Sequence, residues 1–187
     1  MTDAPAVQTV FQDFANRFGV LDRIVVNAGI GHGAALGTGR WEANHATAMT
    51  NFVGALNQSE AALEIFRRQG YGHLVLISSF SALRGMRKSM TTYAATKAGV
   101  ASMAEGLRSE KIKGLDVSVI YPGYIRSEMN AHVEDKTRFM VDTQTGVTAM
   151  VAAIEKRPVK AYVPAWPWAP LAVAMKILPL SIVRRLT

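Results

Sequence analysis

Apolar side chains fall three and four apart over residues 4–18, where Val7, Val10, Phe11, Phe14 and Phe18 form the stripe of an amphipathic helix. Gly19 supplies its stop. The period then changes. "LDRIVVNAG", residues 21–29, carries a β-branched run closed by a glycine turn and predicts a strand. The glycines of "GHGAALGTG" predict a loop, and a long helical pattern follows from Trp41 to Arg68, ended by "QGYG". "HLVLISS" is a continuous apolar run, suited to a strand buried on both faces. "FSALRGMRKS" reads as a loop and residues 90–110 as a further helix. Gly114 introduces a third strand, "LDVSVIYPG", with a Pro-Gly stop; a helix over 143–156 and a short strand in "KAYVPAW" follow.

Strand and helix in regular alternation imply right-handed crossovers and a parallel sheet with helices on both faces. The predicted class is a doubly wound, three-layer α/β fold. No linker or internal repeat divides the chain, so residues 1–187 are expected to form one domain, with an apolar and basic tail at 165–187.

Composition narrows this picture. With 187 residues, 49% of them hydrophobic and 19% charged, the chain can bury one sizeable core. The lack of cysteine excludes disulfides and thiolate metal sites. The N-terminus does not have the basic start and apolar core of a signal peptide, and no apolar run reaches the ~20 residues of a spanning helix. The cytoplasm is therefore the expected compartment. The net charge of +7 is dispersed through "RRQ", "RGMRK" and "VRRLT", with neither a basic stripe nor a reading motif, so a nucleic-acid partner is not expected. Attraction for a phosphorylated cofactor or for acidic lipid is compatible with that charge. His32, His45, His73 and His132 have no metal-ligand spacing and read as surface or capping residues.

The chemistry gathers at the strand ends, where open parallel sheets bind ligands. Tyr93 and Lys97 open the helix after the second strand, four residues apart and therefore on one face. A free phenol has a pKa near ~10, and a neighbouring cation lowers it toward the range useful for general acid–base work. Serine hydroxyls at the preceding strand end can polarise a carbonyl oxygen. The combination describes proton exchange with an oxygen; a hydride would have to come from a cofactor. Taken alone, the tyrosine and lysine would be a surface pair, "NAG" and "PG" plain turns, and Asn51 an ordinary polar contact.

Four motifs, "NAG", "ISS", "YAATK" and "YPGYIRSEM", occur in the order and rough spacing of the short-chain dehydrogenase/reductase family, which the chain resembles up to about Pro164. That resemblance implies an NAD(P)-dependent oxidoreductase interconverting a carbonyl and a secondary alcohol. Tyr93 would be the acid/base, and Lys97 would lower its pKa and bind the nicotinamide ribose. Asn51 would anchor a water in the proton relay. Asn27, Ala28 and Gly29 would stabilise the sheet beside the cofactor. Pro122, Gly123 and Ile125 would line the nicotinamide, with Ser127 where a threonine is usual. The family's serine-to-tyrosine separation of thirteen falls on Phe80, between Ser79 and Ser81; Ser79 is preferred because it ends the apolar strand, and Ser81 stays in competition. The cofactor implied is NAD or NADP, leaning to NADP. A homodimer or homotetramer paired through helices 41–68 and 90–110 is also implied.

The family's phosphate grip, a turn of the kind T-G-x-x-x-G-x-G after the first strand, has no counterpart in this sequence. Matching the motifs puts Met1 just after the family's third strand, leaving about four of the usual seven. The expectations are a piece of a longer protein, weak dinucleotide binding by this chain alone, and an apolar strand exposed at a sheet edge. The competing functional expectation is a fragment or degenerate member that serves as an interaction module. The tail adds another: Trp166, Trp168, an apolar stretch broken by Pro170 and Pro179, then Arg184 and Arg185 resemble a membrane-interfacial segment, with packing on its own subunit or a partner as the alternative. Met86, Met90 and Met129 flank the presumed cleft, as core filling or as the wall for an apolar substrate.

Overall fold

A computed structural model describes residues 1–129 and 139–186. Helix α1 (Ala4–Phe18) forms where the periodicity puts it, capped by the Asp3 carboxylate, which accepts from the Ala6 amide at 3.0 Å. Gly19, at φ 79°, ends it. Its stripe is not buried as a whole. Val7 is buried and Phe11 packs on the core, whereas Val10, Phe14 and Phe18 are each about half exposed.

Strands β1 (Arg23–Val26), β2 (Gly72–Ile77), β3 (Leu115–Pro122) and β4 (Lys160–Val163) form one parallel sheet in the order β1-β2-β3-β4. The register aligns Val25 with Val75, Leu76 with Val119 and Ile120 with Ala161. All six residues of β2 are buried. Each of its large apolar side chains contributes roughly 1.5–3 kcal/mol by leaving water. β1 is shorter than the sequence suggests, lies at a sheet edge, and leaves Val25 42% exposed.

The helical pattern over 41–68 resolves into three consecutive pieces. Helix α2 (Trp41–Ala48) runs through a π-helical segment (Met49–Val53) into α3 (Gly54–Gln69). Helices α4 (Met90–Ser109) and α5 (Thr143–Glu155) follow, the latter capped by Asp142. α3 and α4 cover one face of the sheet, around Leu74, Leu76, Val100 and Val119; Ile154 of α5 packs on Val75, Ile77 and Ile120 on the other. The three-layer α/β expectation holds. The tail is not an extended appendage: it forms α6 (Ala165–Ile177) and α7 (Leu180–Leu186).

The amino ends of the strands carry a buried polar row. His73, expected at the surface, is completely buried on β2. Arg23 Nε donates to its Nδ1 at 2.9 Å, and its Nε2 lies 2.8 Å from Ser118 Oγ. A guanidinium nitrogen can only donate, so Nδ1 is the acceptor and Nε2–H donates to the serine. Ser118 is thus held by a proton donor and is not activated by a base. Beyond this row Arg23 pairs with Glu155, and Arg157 with Asp116. His32 and His45 are exposed, as expected, and His132 lies outside the described residues.

Candidate active site

At the opposite, carboxyl ends of the strands, three elements converge. β2 ends in Ser78 and Ser79, both buried. Ser78 Oγ donates to the Lys97 carbonyl at 2.8 Å and so ties the strand end to the first turns of α4. Ser79 caps the short 3-10 turn Phe80–Leu83, its hydroxyl accepting from the Ser81 amide at 3.1 Å. The same Ser79 hydroxyl lies close enough to the Tyr93 phenol to favour its ionised form. Of the two candidate serines, Ser79 reaches the tyrosine, while Ser81 supplies the backbone donor that orients it.

Burial pushes the Tyr93 phenol up from its ordinary value; the Ser79 hydroxyl pulls it back and the nearby Tyr124 pushes it further up. The cationic pull expected from Lys97 is not among these causes. Lys97 is itself buried, and desolvation lowers its pKa to about 8. Its Nζ donates to the Ile77 carbonyl at 2.9 Å. In this arrangement Tyr93 is a protonated acid, and the lysine one turn further on is an ammonium without a carboxylate partner.

The π-helical segment explains how a mid-helix asparagine enters the site. Widening the helix at Met49–Val53 turns Asn51 inward, where it is fully buried. Its side-chain amide brackets Ile30, accepting from the Ile30 amide at 2.7 Å and donating to the Ile30 carbonyl at 2.9 Å. It therefore clamps the loop after β1. A Cβ on Gly29 would sit 3.2 Å from Lys97 Nζ and 3.3 Å from Asn51 Oδ1, so only a glycine fits there without pushing on either. Asn27 is exposed at the end of β1, with Ala28 half-buried beside it.

Pro122 closes β3. Gly123 donates to the Val163 carbonyl at 2.8 Å, and its missing side chain makes room for the Trp168 indole, which a Cβ would strike at 2.0 Å. Ile125 bridges to Val141, and its side chain fills the space beside Gly146. Ser127 is exposed further along this loop. Met129 packs over Gly31, spanning the loops after β1 and β3, whereas Met86 and Met90 are half-buried on the α4 side.

Several residues of the site escape sequence reasoning. Thr96 Oγ1 donates to the Tyr93 carbonyl at 2.7 Å and lies 3.4 Å from Asn51 Nδ2, linking the two helices behind the phenol. Asn44 Oδ1 accepts from Ala34 N and Thr92 Oγ1, each at 3.0 Å. It stands seven residues before Asn51, two turns away on one helix face, which is the signal that could have found it. Trp168 of α6 is buried against Phe80 and Tyr124, with ring centroids 4.7 and 5.7 Å away, and among the described residues its Nε1 has no hydrogen-bond partner. Among the described residues no group of His, Asp or Glu is placed to hold a metal ion.

A parallel sheet with a half-buried tyrosine and a buried lysine, serine and asparagine at its carboxyl end defines an α/β protein with ionisable and hydroxyl groups gathered at that edge. The chain belongs to the short chain dehydrogenase family, whose model matches residues 1–138. It is 50% identical over 186 residues to an uncharacterized oxidoreductase of Mycobacterium tuberculosis, covering 99% of this chain and 73% of that one. A 3-oxoacyl-[acyl-carrier-protein] reductase, MabA, of Mycobacterium avium is 30% identical over 137 residues, 73% of this chain and 53% of the relative. The fold is similar to a short chain dehydrogenase from Burkholderia cenocepacia solved in complex with NADP, with TM-score 0.82 and 24% identity over 99% of this chain and 75% of that one.

Proposed function

We propose that the site serves an NAD(P)-dependent interconversion of a carbonyl and a secondary alcohol, with the proton passing through Tyr93. The observation that carries the reading is the placement of the Ser79 hydroxyl, at the end of β2, where it favours the ionised form of the Tyr93 phenol, backed by Lys97 and Asn51. A phenol kept protonated by burial is suited to giving its proton to a carbonyl oxygen being reduced. Ser79, with its hydroxyl at that point, holds the same oxygen in place. Lys97, with a pKa near 8, gives up and regains a proton close to neutrality and serves as the reserve behind the phenol. Asn51 keeps the β1 loop and α4 in register, so that Gly29 leaves the lysine head accessible.

The nicotinamide end of a dinucleotide fits the residues present. Gly29 presents bare backbone beside Lys97, as a ribose approaching the lysine requires, while the Trp168 indole fills the space beside Gly123. Bound there, the cofactor supplies the hydride that no side chain can. NADP is the favoured form, since it is the molecule held by the Burkholderia neighbour and the net charge of +7 suits its extra phosphate. The pyrophosphate end has no glycine-rich turn to hold it among these 187 residues. Subunit pairing through the helical stretch from α2 to α3 and through α4 belongs to the same reading.

The test is NADPH oxidation against a panel of 3-oxoacyl thioesters and simple ketones at saturating cofactor. Tyr93→Phe is expected to cut turnover by roughly 10²–10⁴-fold while leaving the melting temperature nearly unchanged. Turnover that survives the substitution would overturn the reading.

A further inference from the structure

The C-terminal helices are apolar on two opposite faces. Trp168, Ala172 and Met175 of α6, with Val183 of α7, are buried against the rest of the protein. On the other side of α6, Pro170, Val173 and Ile177 follow at spacings of three and four, so they share one outward face. Val173 is 61% exposed and Ile177 75%. Trp166, at the start of α6, is 79% exposed, and Leu180 and Ile182 continue the apolar surface onto α7. A helix packed on one side ordinarily turns polar residues to water on the other. Here the outward face carries large apolar groups that nothing among the described residues covers.

The charge around this face says what covers it. Residues 156–187 contain no aspartate or glutamate, and neither do residues 71–104. The two segments meet where Arg84 Nη1 donates to the Lys176 carbonyl at 3.3 Å and where Phe80 packs on Trp168. The apolar face is thus bordered by Arg84 and Lys176, the chain after Arg84 adds Arg87 and Lys88 in sequence, neither segment supplies a carboxylate, and the sequence adds Arg184 and Arg185 at the end of α7. Closing this face on a second copy would set cations against cations. No helix among the described residues is long and apolar enough to cross a membrane.

We infer that the outward face of α6 and α7 docks on an anionic lipid surface, lying in the headgroup region with Trp166, Val173 and Ile177 inserted and the flanking cations on the phosphates. The inner face of the same helix touches Phe80 and Tyr124, so docking sets the rim of the Tyr93 cleft at the lipid. The inference stands on the surface alone and does not depend on the reaction proposed above.

Flotation with vesicles of phosphatidylcholine, alone or equimolar with phosphatidylglycerol, tests it. The protein is expected to float with the phosphatidylglycerol vesicles, to be released by salt, and to stay behind with phosphatidylcholine alone. Val173→Ser with Ile177→Ser should weaken binding about tenfold or more, with an unchanged circular dichroism spectrum. Val25→Lys, at the sheet edge, should bind as before. Because the double variant could misfold, a second measurement uses the unaltered protein: brominated phosphatidylglycerol should quench its tryptophan emission. Absence of flotation, absence of quenching, undiminished binding by a folded double variant, or loss of binding by Val25→Lys would each overturn the inference. So would a dimer in light scattering that the double variant converts to monomer, which would assign the face to a second copy.

Discussion

The two ends of the sheet both bury ionisable side chains, and they treat them in opposite ways. At the amino end, His73 has a partner on each ring nitrogen, and Arg23 next to it answers to Glu155. At the carboxyl end, Lys97 is also buried but among the described residues bonds only to the Ile77 carbonyl, and Trp168 Nε1 has no hydrogen-bond partner among them. A buried group whose bonds are complete specifies a structure. A buried cation lacking its counter-charge costs stability and persists where something else is gained. The contrast separates a polar network with complete bonds from one that leaves a cation without a counter-charge, and it does so without reference to any relative.

The sharpest way to break the comparison is at the amino end. His73→Ala removes a fully buried side chain and strands the Arg23 donor and the Ser118 acceptor around a cavity. A loss of about 3 kcal/mol in urea unfolding is expected. The same network predicts an acid limit. Desolvation, then the charges of Arg23 and Arg157, lower the His73 pKa to about 4. Between about pH 6.5 and 4 the unfolded imidazole takes up a proton and the folded one does not. Folding is therefore weakened as pH falls through that window, by up to about 3 kcal/mol, and the loss levels off near pH 4. His73→Phe, if it folds, should flatten this dependence; an unchanged slope would show that carboxylates govern it.

At the carboxyl end the sign reverses. Lys97→Met keeps the volume and removes the desolvated ammonium. At pH 7 the lysine is protonated both folded and unfolded, so the whole cost of burying it is present. Above about pH 8 the folded lysine is neutral while the unfolded one keeps its proton up to about 10.5, so native stability rises through that interval. The variant is expected to be about 2 kcal/mol more stable than the parent at pH 7, with the gain shrinking toward pH 10.5 and with turnover lost. A destabilised Lys97→Met would mean that the Ile77 bond matters more than desolvation, and the two ends of the sheet would then be alike.

Much of this contrast was legible in the sequence, and the reasons for the remainder are physical. The spacing of Tyr93 and Lys97 on α4, the apolar run of β2 and the order of the strand-end motifs are local patterns, and they survive folding. The choice between Ser79 and Ser81 depends on how a 3-10 turn points two adjacent hydroxyls, which spacing alone does not encode. The π-helical widening at Asn51 is equally silent, because residues 41–68 read as one long helical pattern and nothing in the spacing marks the turn that takes the extra residue. His73 looked like a surface residue because its partners, Arg23 and Ser118, are 50 and 45 positions away and only the strand register brings them together. The α1 stripe misled in the other direction. Periodicity says which residues share a face, and Val10, Phe14 and Phe18 do share one, but it cannot say that the face will find a partner.

The smallest expected effect tests whether the amino-end network behaves as a single unit. Glu155 is on the surface, where Arg23 holds its carboxyl below the usual range, first through their hydrogen bond and then through charge. Its own contribution to stability should be slight, because an exposed pair is screened by water and salt. Its influence on His73 is another matter. Glu155 and Asp116 are the two charges that favour the imidazolium, against the two arginines that oppose it. Glu155→Gln should therefore lower the His73 pKa still further, while the arginine it leaves behind keeps donating to Nδ1. A proton–nitrogen NMR titration of the His73 ring reads this directly, with the Nε2-protonated tautomer preserved. A His73 pKa that rises instead would mean that Glu155 acts by positioning Arg23 and that the imidazole loses its donor with it.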